Sequence, residues 1–83
     1  MPARPSYAWR LRCHRLNRIL SQGDAPSADK AKAALALAIR RAGGFRPGMA
    51  GGVTRPSGGG WFVRAPVDRY SPITWDEWEP VTP

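Results

Sequence analysis

Cys13 and His14 are the chain's single cysteine and single histidine, and they are adjacent, so they are the first residues to test for nucleophilic or metal chemistry. Tyr7 to Cys13 alternates apolar and polar residues as a half-buried strand does, and neighbours on a strand point to opposite faces. A thiol and an imidazole so placed neither meet as nucleophile and base nor bind one ion, and a closed zinc site needs roughly four convergent ligands. Cys13 therefore reads as a small buried apolar residue and His14 as a turn residue. The carboxylates Asp76, Glu77 and Glu79 follow in a C-terminal tail beside Trp75 and Trp78. A general acid-base pair needs a rigid cleft to set its pKa values, which a tail does not supply. Gly51-Gly52 and Gly58-Gly59-Gly60 lack the Lys-Ser/Thr and the helix start of a phosphate-binding loop and read as turns. The expectation is a protein without catalysis, cofactor or metal.

What remains is arginine interleaved with aromatics. The 83 residues carry 13 Lys and Arg against six Asp and Glu, a formal +7, and 11 of the basic residues are arginine. The charge is lopsided: residues 1–66 sum to +10 and residues 67–83 to −3. Arginine suits bidentate contact with phosphate or carboxylate, so such a surface attracts a polyanion or an acidic protein face. Arg10, Arg12 and Arg64 project from the exposed face of the two clearest strands with Phe62 on the same side, and these four residues are the expected partner-binding set. Nucleic acid would be held there by phosphate contacts and stacking, and an acidic protein by the same arginines with Phe62 as an anchor. The competing explanation is that charged side chains simply keep an outward sheet face soluble and guard its edges.

The elements that must position these residues are few. Pro26 to Gly44 is the strongest helix pattern. Ser27 caps its start, Asp29 and Arg40-Arg41 complement the helix dipole, and Gly43-Gly44 closes it. Ala28, Ala31, Leu35, Ala38, Ile39 and Ala42 form the packing face, and Lys30, Arg40 and Arg41 form a secondary basic patch on the other side. Arg18 to Ser21 reads as a short returning strand, Gln22 to Pro26 as a loop and Phe45 to Gly52 as a connector. Val53 to Arg55 is a short strand, and Trp61 to Ala65 a clear one. Thr74 and Glu77 have capping-box spacing, so a helical turn competes with a final strand there.

The sum is a single α+β domain over 1–83: one amphipathic helix on an antiparallel sheet of about four strands in ββαββ order. Residues 1–6 form an irregular lead-in and 68–83 an acidic Trp-containing tail that folds back over the basic body or serves as a docking segment. The expected core is Tyr7, Trp9, Leu11, Leu35, Ala38, Ile39, Trp61 and Val63. A lone cysteine suits a reducing cytoplasm, and arginines interrupt any apolar run of signal-peptide or membrane-span length.

This layout resembles the small anti-CRISPR proteins of phages and mobile elements, in particular the type I inhibitors that pack one helix on an antiparallel sheet. The residues that carry the resemblance are Tyr7-Ala8-Trp9-Arg10-Leu11, Ser27-Ala28-Asp29-Lys30-Ala31-Lys32-Ala33 and Gly60-Trp61-Phe62-Val63. It covers most of residues 7–65; the arginine-rich composition and the acidic tail lie outside it. It implies a stoichiometric inhibitor that binds a CRISPR interference complex through a Cas subunit in the bacterial cytoplasm and stops it engaging target DNA. The expected state is a monomer or weak dimer with no membrane contact. The alternative function is a small basic accessory protein that binds DNA or RNA directly.

Overall fold

The computed structural model describes residues 6–68 and 71–80, so the lead-in expected over 1–6 lies outside the described residues except for Ser6. The elements run β1 (Tyr7–Cys13), β2 (Arg18–Ala25), α1 (Ala28–Arg41), β3 (Met49–Thr54), β4 (Gly60–Arg64) and β5 (Thr74–Trp78). The strands make one antiparallel sheet in the order β2-β1-β3-β4-β5. The α+β class holds, with five strands in ββαβββ order rather than four in ββαββ.

Two local readings are corrected by the sheet, and it decides a third that the sequence left open. Gln22 to Ala25 continues β2 rather than forming a loop, because Tyr7 to Arg10 pair with it residue by residue. Met49 to Gly52, read as connector, opens β3: its glycines have little strand preference of their own, and pairing with Arg10 to Cys13 sets their conformation. Thr74 to Trp78 is a strand and not a helical turn, since β4 offers it a full ladder from Gly60↔Trp78 to Arg64↔Thr74.

The helix forms where its signals placed it. Ser27 has extended backbone, and its Oγ accepts from the Lys30 N–H at 3.2 Å. At the other end Gly43, at φ 91°, donates to the Arg40 carbonyl, and the Gly44 N–H donates to that of Ile39, a Schellman closure. The Arg46 guanidinium adds a bond to the Ala42 carbonyl at 2.9 Å. Replacing Ser27 by Ala should lower stability by about 1 kcal/mol, read as an earlier urea midpoint with an unchanged slope. An unchanged midpoint would show that the cap contributes nothing.

The helix lies over β1, β2 and β3. Ala31, Leu35 and Ile39 meet Leu11, Val53 and Val63 in the core. Of the expected core, Leu11, Leu35, Ile39 and Val63 are buried, whereas Tyr7, Trp9, Ala38 and Trp61 pack around them half-buried. Ala31 and Val53 belong to the centre as well, because small side chains there let the helix approach the sheet closely. No helix among the described residues is long and apolar enough to cross a membrane.

Since the helix stops short of β4 and β5, side chains cover that half of the inner face. Lys32 Nζ stands 4.5 Å from the Trp61 ring centroid and 5.6 Å from that of Trp75. The Arg55 guanidinium stacks on Trp61 at 4.2 Å, and Tyr7 packs against the same ring at 6.5 Å between centroids. Cations over indole faces gain from the ring quadrupole while their stems cover apolar surface.

Candidate functional site: the uncovered face of the sheet

One face of the sheet carries the helix; among the described residues no element covers the other. Register determines what stands on it. Residues opposite one another share a face, so Gln22, Arg10, Gly52, Phe62 and Asp76 form one row across all five strands. Asp24, Ala8, Thr54, Gly60 and Trp78 form the row on one side of it, and Ile19, Arg12 and Ala50 lie on the other. The expected set of Arg10, Arg12, Phe62 and Arg64 is thus on one surface, as the alternation required.

The middle of that surface is low. Ala8, Ala50, Gly52 and Thr54 floor an open trough of about 680 Å³, with Arg10, Arg12, Gln22 and Asp24 along one side. Gly52 lies between Arg10 and Phe62, and a Cβ there would come 3.1 Å from the Trp61 carbonyl oxygen, so the floor cannot be raised without shifting β4. Phe62 is 46% exposed, large for an aromatic on a rigid strand, and lies across Gly52 from Arg10.

The four residues are not equivalent. Arg64 is engaged within the chain: its Nε donates to Asp76 Oδ2 at 3.0 Å and its second arm donates to Asp76 Oδ1. That hydrogen bond first, and the carboxylate charge second, raise the Arg64 pKa above its ordinary value against a smaller opposing effect of desolvation. Asp24 and Asp76 also bring negative charge to a face that the alternation of Tyr7 to Cys13 and Trp61 to Ala65 made purely basic. Arg10 has no ion-pair partner among the described residues and is exposed. Arg12 donates to Asn17 Oδ1 at 3.3 Å, while its Nε–H is buried with no acceptor among the described residues. A partly desolvated guanidinium of this kind gains more from an incoming anion than one fully hydrated.

The acidic tail explains the engagement of Arg64. Along β5, Asp76 reaches Arg64 on the outer face; on the inner face Glu77 pairs with Arg55 at 3.0 Å and accepts from Trp61 Nε1 at 3.2 Å. Of the two positions expected for the tail, residues 74–78 therefore take the fold-back, with Trp75 half-buried and Trp78 exposed. Alternation of Trp75, Glu77 against Thr74, Asp76, Trp78 was the sequence signal for it, masked by the capping-box spacing.

The secondary basic patch divides. Lys30 stands in the first turn of α1 and Arg40 and Arg41 in the last, about 15 Å away at 1.5 Å per residue. Cys13 is buried and His14 exposed, on opposite sides of the strand end. Among the described residues no three His, Cys, Asp or Glu side chains gather where they could hold a metal ion.

The fold and surface define a small α+β protein with one bare, partly basic sheet face. Comparison with protein-family models, with curated proteins and with solved structures finds no match.

Proposed function

We propose that this chain is a binding protein without catalytic activity, an inhibitor that docks on a type I CRISPR-Cas interference complex and blocks its engagement of target DNA. The observation that carries this reading is the uncovered sheet face, where Arg10, Arg12 and the exposed Phe62 surround a low rigid floor. A flat surface of this kind, with an aromatic anchor and two guanidiniums and no enclosed cleft, suits a macromolecular partner better than a small substrate. The resemblance of residues 7–65 to type I anti-CRISPR proteins supplies the partner: an acidic surface on a Cas subunit in a bacterial cytoplasm. Arg64 acts behind Asp76 as a support, and Arg10 and Arg12 carry the electrostatic part.

Replacing Arg10 and Arg12 together by Ala should weaken association with a purified interference complex by roughly 10- to 100-fold, with the melting temperature nearly unchanged because neither side chain is in the core. Comigration of the unaltered protein with the complex, lost in the double variant, supports the reading. Failure of the protein to bind such complexes or to protect a phage from them overturns it.

A second reading, a small DNA- or RNA-binding accessory protein, is favoured by the exposure of Phe62 across Gly52 from Arg10, since a base could stack on the ring while phosphates meet the arginines. A salt titration separates the two. Binding to random duplex or single-stranded DNA that falls steeply with salt supports the second, and negligible DNA binding near 0.15 M salt supports the first.

A further inference from the structure

The sheet ends on one side with β5, whose acids are already matched within the chain: Asp76 by Arg64 and Glu77 by Arg55. It ends on the other with β2, which among the described residues has no strand beyond it. This second edge is built differently. The ladder with β1 slips between Leu11 and Arg12, leaving Leu20 as an extra residue without a partner, half-buried on the helix side. The Trp9 indole extends beneath the strand, so close that a Cβ on Gly23 would fall 2.9 Å from it. Above it, Leu37 of the helix is 43% exposed. Together Trp9, Leu20, Ala34, Leu37, Ala38 and Arg41 line an apolar groove of about 400 Å³ between helix and edge.

Arg41 lines the groove, and the charged side chains on its stripe of the helix are basic; Asp24 of β2 stands on the other face of the sheet, paired with Ala8, and Asp29 lies beside Lys30 off that stripe. Lys30, Ala34, Leu37 and Arg41 recur at the helical spacing of one stripe, so a cation stands near each end of the groove, about 16 Å apart. Arg18 begins the edge strand itself. Exposed edge backbone, an apolar slot alongside it and flanking cations are what an extended segment needs when it alternates apolar residues with carboxylates. The chain shows this chemistry at its other end, where Trp75-Asp76-Glu77 meets β4, Lys32, Arg55 and Arg64.

We infer that the β2 edge and the groove beneath α1 form a second docking site, on the opposite side of the sheet from Arg10 and Phe62, for an extended acidic segment of a partner protein that adds a sixth strand. Its apolar side chains enter the slot beside Leu20 and Leu37, and its carboxylates meet Arg18, Lys30 and Arg41. A second copy of this chain is disfavoured, because each copy carries +7 and the acids of its β5 are engaged internally. The site does not depend on the function proposed above.

The test uses the full chain and a synthetic peptide with the chain's own 73–80 sequence, followed by NMR of the backbone amides. The expected result is saturable shifts at Leu20 to Ala25, Leu37 and Arg41, with affinity reduced about tenfold when the peptide's acids become amides. Leu37→Glu should also weaken binding about tenfold or more, since it places a carboxylate and removes an apolar contact in the slot. Leu16→Glu, at a position 61% exposed in the β1–β2 turn, should leave binding unchanged, and both variants should melt like the parent. Shifts confined to β4 and β5, which would mean that the peptide displaces the resident strand, overturn the inference. So do equal binding of the amide peptide, indifference to Leu37→Glu, no saturation by about 1 mM, or dimerisation in place of peptide binding.

Discussion

Replacement of Gly60 by Ala should destabilise the fold by about 4 kcal/mol or more, a third or more of all the stability that a domain of this size holds. Gly60 opens β4 with φ 155°, a conformation that residues with a side chain rarely adopt, and it is buried. A Cβ at this position would lie 1.9 Å from the Val53 carbonyl oxygen and 2.9 Å from its carbon. No rotamer relieves this contact, since a Cβ is fixed by the backbone. The only escape is to move β4 away from β3, and Gly60 is the point where Thr54, Gly60 and Trp78 stand abreast across three strands. Backbone strain of this kind costs about 1–3 kcal/mol, and the displaced ladder brings the total to about 4 kcal/mol or more. Domains of this size hold only about 4–12 kcal/mol in all. The control is Gly58→Ala. Its φ is 102°, but the nearest atom to a new Cβ, in Pro80, is 3.4 Å away, so only the conformational part of the cost applies, about 1 kcal/mol. Far-UV circular dichroism against temperature checks both. A Gly60→Ala protein that melts within a few degrees of the parent would show that β4 does not pair with β3 in this register.

The second large effect is in the core. Leu35 is 0% exposed and faces Leu11, Val53 and Val63 from the centre of α1. Leu35→Ala should cost about 3–5 kcal/mol, the transfer of the lost carbons plus the cavity they leave. For a domain of this length that is a fall in melting temperature of about 15 °C or more. The cavity has a specific wall. A Cβ on Gly51 would come 3.4 Å from Leu35 Cδ2 and 3.3 Å from Val63 Cγ2, so a methyl there would touch both side chains. Gly51→Ala should be better tolerated in the Leu35→Ala background than in the parent, because the new methyl enters the vacated space. A double-mutant cycle by urea denaturation measures the difference. Additivity within about 0.3 kcal/mol would mean that the two positions do not touch.

Both effects bear on the candidate binding face. Gly60 sits in the row beside Phe62 and Arg10, and Gly51 directly precedes the trough floor at Gly52. The outer surface is rigid because the inner one is packed, so binding measurements on either variant report the fold before they report the site.

How much of this was legible beforehand varies by element. The helix was readable from local signals alone: the Ser27 cap and the Gly43-Gly44 closure are chemistry between residues three to five apart, and the structure contains both sets of bonds, with Arg40-Arg41 in the last turn. The alternation of Tyr7 to Cys13 and of Trp61 to Arg64 likewise placed Arg10, Arg12, Phe62 and Arg64 on one face. Met49 to Gly52 was not readable, since a glycine-rich stretch states no preference and acquires one only from the strand beside it. Thr74 to Trp78 carried two signals of similar strength, and the ladder along β4 decided between them.

Sequence by itself determined the helix, the two best strands, which of their side chains face outward, and the excess of arginine. These follow from interactions within one segment, where spacing is geometry. Tertiary structure decided that the sheet has five strands, that Asp76 takes up Arg64 and leaves Arg10 and Arg12 as the outward charges, and that Arg41 lines a groove beside the edge strand while Lys30 stands at the far end of the helix. Each of those depends on which segments become neighbours in space, and pairing of backbone and burial of apolar area across the whole chain set that, not any local run of residues.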